Sequence, residues 1–392
     1  MIWPWSLLLC ALVASLIHVF FITRMLRVAQ RKRQSNCELL IKSEEPTRIS
    51  AAPTHPSPQD IPGVSVIVCA KNEADRLIKL IPEILNQRYP NFELILVNDH
   101  SSDQTQVVID EWAKKDPRVR CFTPLKKAKT LGKKAALSFG ISQASHDLLL
   151  LTDADCLPAS AHWIDLMTAP LRANKSVASG FGGYLKRPGF LNSVIRFETT
   201  LTAGLFLGQA IAGQPYMGVG RNLAYRKDFF NAQGGFRSHE HIVSGDDDLL
   251  INHGANKKNT AAVLDPMAFT WSLPQTSWRG LFRQKRRHQS AAHFYRTSTK
   301  MILGLYSGSI LLFYLSLLLI GLLQPYNAYF CLAVMALVVG RSIYLIWQMR
   351  SIFDRFQTAD LNLQIPILEP VLICLQLIIF VWNRFSKPDH WN

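Results

Sequence analysis

Acidic residues are scarce in this chain. Lysine and arginine number 43 against 28 aspartates and glutamates, for a net charge of +15. Charged residues make only 18% of the sequence and hydrophobic residues 48%, so a plain pair of soluble domains is excluded and part of the chain is expected in lipid. The seven cysteines (Cys10, Cys37, Cys69, Cys121, Cys156, Cys331, Cys374) form no CxxC pair. That excludes a zinc-ribbon pattern and suits a reducing compartment. No reader motif with interleaved aromatics accompanies the positive charge, so nucleic acid is not an expected partner. Basic residues beside anionic lipid account for the excess. No internal repeat is visible. Met1 to Thr23 carries no charge, and it lacks the positive n-region and small-residue cleavage site of a signal peptide.

What is there divides the chain. Residues 1–24 hold LLLCALVASLIHVFFI, long enough for a transmembrane anchor. Arg24, Arg27, Arg31, Lys32 and Arg33 follow, which puts that side in the cytoplasm. Residues 25–62 read as a basic, proline-bearing linker. From 63 to 275 strand and helix patterns alternate, which predicts an α/β domain with a mixed, mostly parallel sheet and helices on both faces. Its strands are expected at Val64–Ala70, Phe92–Asn98, Arg118–Phe122, Asp147–Thr152, Val177–Leu185 and Thr260–Leu264, with another after a glycine-rich turn in Gly218–Arg226 (GVGRNLAYR). Residues 276–300 read as one basic helix lying along a membrane surface. Residues 301–392 hold two or three membrane helices, the third weakened by Pro366, Glu369 and Pro370. Arg341 interrupts the second; snorkelling is the favoured reading, pairing with Glu369 the other.

The stretch Asp147 to Pro158, DLLLLTDADCLP, organises the rest. Four successive leucines suit a strand buried on both faces. Asp153 and Asp155, two apart at its end, leave on the same side of an extended chain. In an open α/β sheet that end is where ligands bind. Paired carboxylates there call for a cation, and a hard divalent ion bridging phosphate oxygens is the usual one. The plain alternative is an acidic turn with Asp155 capping a helix. Asp99 and the run Asp246 to Asp248 also fall at strand or helix boundaries, and Lys133 and Lys134 follow Gly132 at a helix start, where they would add positive charge beside the site. Asp103 reads as a helix cap.

Taken in order, VSVIVCAKNEADRL (64–77), ELILVNDHSSDQT (93–105), TLGKKAAL (130–137), LLLTDADCLP (149–158), GVGRNLAYRKDFFNAQGGF (218–236), SGDDDLL (244–250) and QKRRH (284–288) resemble the family 2 glycosyltransferases, inverting enzymes with a GT-A fold. The resemblance covers about Val64 to His293. It implies that Asp99 contacts the nucleoside, that Asp153 lies near the ribose, and that Asp155 is the main ligand of Mg2+ or Mn2+. Ala70, Asn72 and Glu73 would line the nucleotide pocket, with Lys133 beside it. SGDDDLL stands where the family has its Glu-Asp pair, which puts the general base at Asp246, with Asp247 the alternative. Gln284, Arg287 and His288 stand where many membrane synthases have Gln-x-x-Arg-Trp, a segment holding diphosphate and acceptor. His288 replaces the tryptophan, which counts against processive synthesis.

The expected protein is thus an integral membrane enzyme of the bacterial inner membrane with its catalytic domain in the cytoplasm. It would take a nucleotide-sugar donor, of UDP type, and a lipid or lipid-linked glycan acceptor. A polysaccharide synthase is the runner-up, although two or three spans are few for a translocation path unless the chain forms a homo-oligomer. A silent nucleotide-sugar-binding membrane protein is the non-enzymatic alternative. A sugar-phosphate nucleotidyltransferase would carry a glycine- and arginine-rich loop after the first strand, and Val64 to Arg76 has none.

Overall fold

The computed structural model describes residues 3–30, 61–125, 132–242, 244–323 and 328–386. The expected linker from 31 onward, and Thr130 and Leu131 of the lysine motif, lie outside them. The chain forms two compact units. One comprises Gly213–Leu273 with the described residues of Gln30–Gly183; the other comprises Tyr184–Ala212 with the described residues of Met1–Ala29 and Pro274–His390.

The first unit is built on β1 (Val64–Ala70), β2 (Phe92–Asn98), β3 (Val119–Phe122), β4 (Leu148–Asp153), β5 (Cys156–Pro158), β6 (Val177–Ser179), β7 (Gly182–Tyr184), β8 (Leu223–Arg226), β9 (Thr260–Ala262) and β10 (Thr270–Ser272). Seven of them make one sheet in the order β3-β2-β1-β4-β8-β6-β9. β1 to β4 are mutually parallel, β8 runs antiparallel to both its neighbours, and β6 and β9 are parallel. β5, β10 and β7 form a separate three-stranded sheet.

Both faces of the large sheet are covered, and this is why its strands read as continuous apolar runs. Val64, Val66 and Val68 of β1, Leu94 and Leu96 of β2, and Leu148 and Leu150 of β4 pack with helices Ala74–Leu85, Thr105–Lys115 and Trp163–Arg172. The alternate residues Ile67, Ile95, Val97, Leu149 and Leu151 pack with helices Lys133–Gln143, Lys227–Ala232 and Asp248–Gly254. The expected strand over Val177–Leu185 is two strands in two sheets. The chain leaves the large sheet after Ser179, where Gly180 N bonds Asn222 O at 3.0 Å, and joins the small one at Gly182. Asp103 does cap: its carboxylate accepts from Thr105 N (3.0 Å) and Ala74 N (3.3 Å), at the starts of two helices.

In the second unit and its flanks, four helices are long and apolar enough to cross a membrane: Trp5–Gln30, Thr297–Leu322, Ala328–Arg355 and Ala359–Phe385. The first runs on through Arg24 and Arg27. The third C-terminal candidate forms as α-helix Ile365–Phe385 despite its prolines, because Pro366 sits in its first turn, where no N–H is needed. The expected basic helix over 276–300 is shorter, Trp278–Ala292. The chain turns where Phe294 N and Tyr295 N bond back to Ala291 and Ala292, and Thr297 starts the next helix. Arg341 does not snorkel. Its guanidinium meets both oxygens of Glu369 (2.6 and 3.0 Å), and Nη2 also lies 2.9 Å from His18 Nδ1. Tyr314 Oη donates to the same carboxylate at 2.7 Å. A charge in an apolar bundle is held by a buried partner within reach.

Removing one member of a buried pair strands the other. Glu369→Ala is expected to destabilise the detergent-solubilised protein by about 3–5 kcal/mol, and the double replacement Arg341→Leu/Glu369→Leu to recover most of that loss. Denaturant unfolding of the wild type and the two variants checks it; equal losses in single and double variants would refute it.

Candidate active site

β1 and β4 are neighbours, while β2 and β3 lie on the other side of β1. Chain order reverses there, and the carboxyl ends of such strands flank a crevice. Asp153 ends β4 directly opposite Cys69, and Ala70 lies opposite Asn98, one residue before Asp99. Ala70 O accepts Asp99 N at 2.8 Å. The Cys69 thiol therefore sits among Lys133, Asp153, Asp246 and Asp99; burial pushes it up, and it stays neutral.

Lys133 joins the acids. Its Nζ lies 2.7 Å from Asp153 Oδ1 and 3.2 Å from Asp246 Oδ2. Burial alone would lower the ammonium, but Asp153 and then Asp246 outweigh it and hold it well above its usual value. Burial alone would raise Asp246, but Lys133 holds that carboxyl below its usual range. Asp247 is different: burial, and then the neighbouring Asp246 charge, push it up to about 6. It accepts from Gly220 N (2.6 Å) and Asp248 N (2.8 Å), so it caps the helix that begins at Asp248 and holds the turn before β8. A Cβ on Gly220 would come within 3.2 Å of Lys133 Nζ, so the lysine tip would have to shift slightly to admit one.

Ligand atoms of Asp153, Asp155 and Cys156 lie within 4.8 Å of one another. Burial, then the Asp153 charge, raise Asp155, as expected of a carboxylate pair short of positive charge. The Cys156 thiol is driven well up by burial and lies 2.9 Å from Ser272 Oγ. The two carboxylates beside it offer hard oxygen donors of the kind Mg2+ or Mn2+ takes.

Asp99 is buried, and its Oδ2 has no hydrogen-bond partner among the described residues; such an oxygen suits an incoming donor such as a base N–H. Asn72 takes a left-handed φ of 57° and is tied to the β2 loop, its N bonding Ser101 Oγ and its Oδ1 accepting Ser102 N. Glu73 is clasped by Arg76 (2.7 and 2.5 Å). Gln284, Arg287 and His288 lie on helix Trp278–Ala292 of the other unit. There Gln284 Nε2 donates to Tyr184 Oη at 3.1 Å, Arg287 is half-buried and His288 is exposed.

Sequence reasoning missed Cys69, Cys156 and Asn222. Asn222 is fully buried, accepts from Trp163 Nε1 and donates to the carbonyls of Phe181 and Ala268. It pins the start of β8 beside the crevice. The NLAYR pattern marks the strand but not this role. Lys134, expected beside Lys133, turns away to backbone carbonyls.

A mixed sheet with a carboxylate pair at its switch point, covered by helices on both faces, is the frame of the GT-A glycosyltransferases. Residues 65–233 match the model of glycosyl transferase family 2. It is similar to the probable glycosyltransferase YdaM of Bacillus subtilis, 26% identical over 58% of this chain and 55% of that one. A poly-beta-1,6-N-acetyl-D-glucosamine synthase of Staphylococcus epidermidis is 30% identical over 36% of this chain and 28% of its own length. A beta-monoglucosyldiacylglycerol synthase of Trichormus variabilis is 33% identical over 26% of this chain and 22% of its own. The chain thus spans about half the length of the first of these relatives and less of the others. Among solved structures, mannosyltransferase PcManGT from Pyrobaculum calidifontis, in complex with GDP-Man and Mn2+, shares the fold with a TM-score of 0.52 at 17% identity, over 90% of this chain and 99% of that one.

Lys133→Met removes the largest of the influences that oppose burial at Asp246. Its carboxyl then rises above the unfolded value, so its contribution is present at low pH and lost as pH rises through the folded pKa. With divalent cations chelated, the variant is expected to trail the wild type by on the order of 1–3 kcal/mol at pH 8, and by less at pH 5. Thermal melts at the two pH values check this, and an equal gap at both would refute it.

Proposed function

We propose that this protein is a membrane-bound inverting glycosyltransferase. It moves a sugar from a nucleotide-sugar donor, of UDP type, to a lipid or lipid-linked glycan at the cytoplasmic face of the bacterial inner membrane. The observation that carries the reading is the Lys133 bridge. It sets the acid at the end of β4, on the donor side, against Asp246, the family's base position. The apolar helices and the glucosyldiacylglycerol synthase among its relatives support a lipid-type acceptor.

A divalent cation held by Asp155 and Asp153 would supply positive charge to the departing diphosphate. The chain's own residues do the rest. Asp99 and the β1 end at Ala70, Asn72 and Glu73 receive the nucleoside. Lys133 keeps Asp246 ionised, and Asp246 takes the proton from the acceptor hydroxyl as that oxygen attacks the anomeric carbon. The bond from that carbon to the diphosphate oxygen breaks as the new one forms, which inverts the centre. Asp247 is assigned to holding the Gly220 turn, since both its oxygens already accept backbone N–H groups. Gln284, Arg287 and His288 are assigned to diphosphate and acceptor by resemblance. The poly-N-acetylglucosamine synthase relative favours a second reading, polymer synthesis; His288 in place of tryptophan weighs against it.

The test is nucleoside diphosphate release from UDP- and GDP-sugars by the detergent-solubilised protein with Mn2+, with and without lipid extract. Lipid-dependent release is expected, abolished in Asp155→Ala and by chelation, with single-sugar products. Release of nothing from any donor would sink the enzymatic reading. Asp246→Asn is expected to lower kcat about 10²–10⁴-fold, and Asp247→Asn far less. A base must be ionised, so activity falls as pH drops through its pKa. The acid limb of kcat/KM should lie well below the value of about 6 that Asp247 would impose; a limb at that value, lost in Asp247→Asn, would transfer the role to Asp247.

A further inference from the structure

Lys133 and Lys134 are consecutive at the start of helix Lys133–Gln143. Successive side chains on a helix diverge by about 100°, and these two part company. Lys133 turns to carboxylates. Lys134 Nζ donates to the carbonyl oxygens of His239 (2.8 Å), Ile242 (2.8 Å) and Ser244 (2.7 Å). An ammonium has three donors and no acceptor; here each donor meets its own carbonyl, and the residue is 7% exposed. The arrangement resembles a cation caged by main-chain oxygens, with the cation supplied by a side chain.

The three carbonyls belong to the segment that delivers Asp246. Within it, His239 N bonds Phe236 O and Ile242 N bonds His239 O, both short-range turns. After Ser244 the chain passes through Gly245 at φ +96°, a conformation that favours glycine, and reaches Asp246. The ammonium grips this segment at His239, Ile242 and Ser244, and the buried His239 ring adds contacts to Phe236 and His253.

We propose that Lys134 is a positioning residue for sugar transfer: a main-chain clamp that sets the approach to Asp246, so that Lys133 meets the Asp246 carboxylate. Two adjacent lysines then grip one segment, one by its side chain and one by its backbone. Methionine at this position removes the ammonium from all three carbonyls, and among the described residues only that of His239 keeps a further donor, Ile242 N. Arginine keeps the charge, but its planar fork does not match three converging oxygens. The proposal rests on Asp246 being the base.

The experiment compares Lys134→Met and Lys134→Arg with the wild type in two readouts. In steady-state kinetics, kcat is expected to fall about 10²-fold, the scale of a misplaced catalytic group, while the donor KM holds, since Lys134 touches none of the donor-side residues. In amide hydrogen exchange, peptides covering 239–251 should exchange faster, while β1, β2 and β4 keep wild-type protection. Lys134→Arg guards against a Met variant that does not fold. Unchanged kcat in both variants would overturn the proposal, as would exchange that rises throughout the α/β unit. If the wild-type protein transfers no sugar, the enzymatic reading fails. Exchange then decides the clamp alone: local acceleration upholds it, and unaltered protection of 239–251 refutes it.

Discussion

One ammonium among carboxylates sets the terms for the rest of the α/β unit. Lys133 touches Asp153 and Asp246, which arrive from β4 and from the segment before helix Asp248–Gly254. Like charges brought together out of water do not remain ionised without such a cation. Its neighbours are shaped to it: Gly220 has no side chain to crowd it, and Asp247 is drawn aside to backbone N–H groups. The opposite pole of the sheet shows what an acid looks like when it only stabilises. Glu93, near the start of β2, accepts from Ser65 Oγ, Ser145 N and Arg120 Nη1. Asp99, at the far end of the same strand, keeps an oxygen unused.

Much of this was legible in the sequence. β1, β2 and β4 announce themselves because a strand covered on both faces is apolar along most of its length, as the LLLL of β4 is. Motif order then located the acids. The three-residue strands β5, β6, β7, β9 and β10 left little trace, since three residues carry no period. Cys69 became part of the site only through its register with Asp153, and registers between distant strands are not written in either strand. Asn222 is similar: an asparagine after glycine and arginine reads as a turn residue until its three buried partners are seen.

The lysine pair and Arg341 show a subtler limit. Sequence gave Lys133 and Lys134 one role because they are adjacent and alike, yet helix rotation sends them to different partners. Arg341 had two plausible fates. The choice depended on Glu369 facing inward in a helix whose early prolines had weakened the case for it, and on His18 and Tyr314 completing the cluster.

That cluster also orders events during synthesis. His18 and Arg341 are 323 residues apart, and Arg341 and Glu369 a further 28. Helix Trp5–Gln30 must wait until those later residues are made before its histidine meets the Arg341 guanidinium. Every strand of the α/β unit is made in that interval. The sheet is therefore free to form early, while the polar knot among the apolar helices closes last, and a ribosome stalled before codon 369 would leave an arginine without its counter-charge.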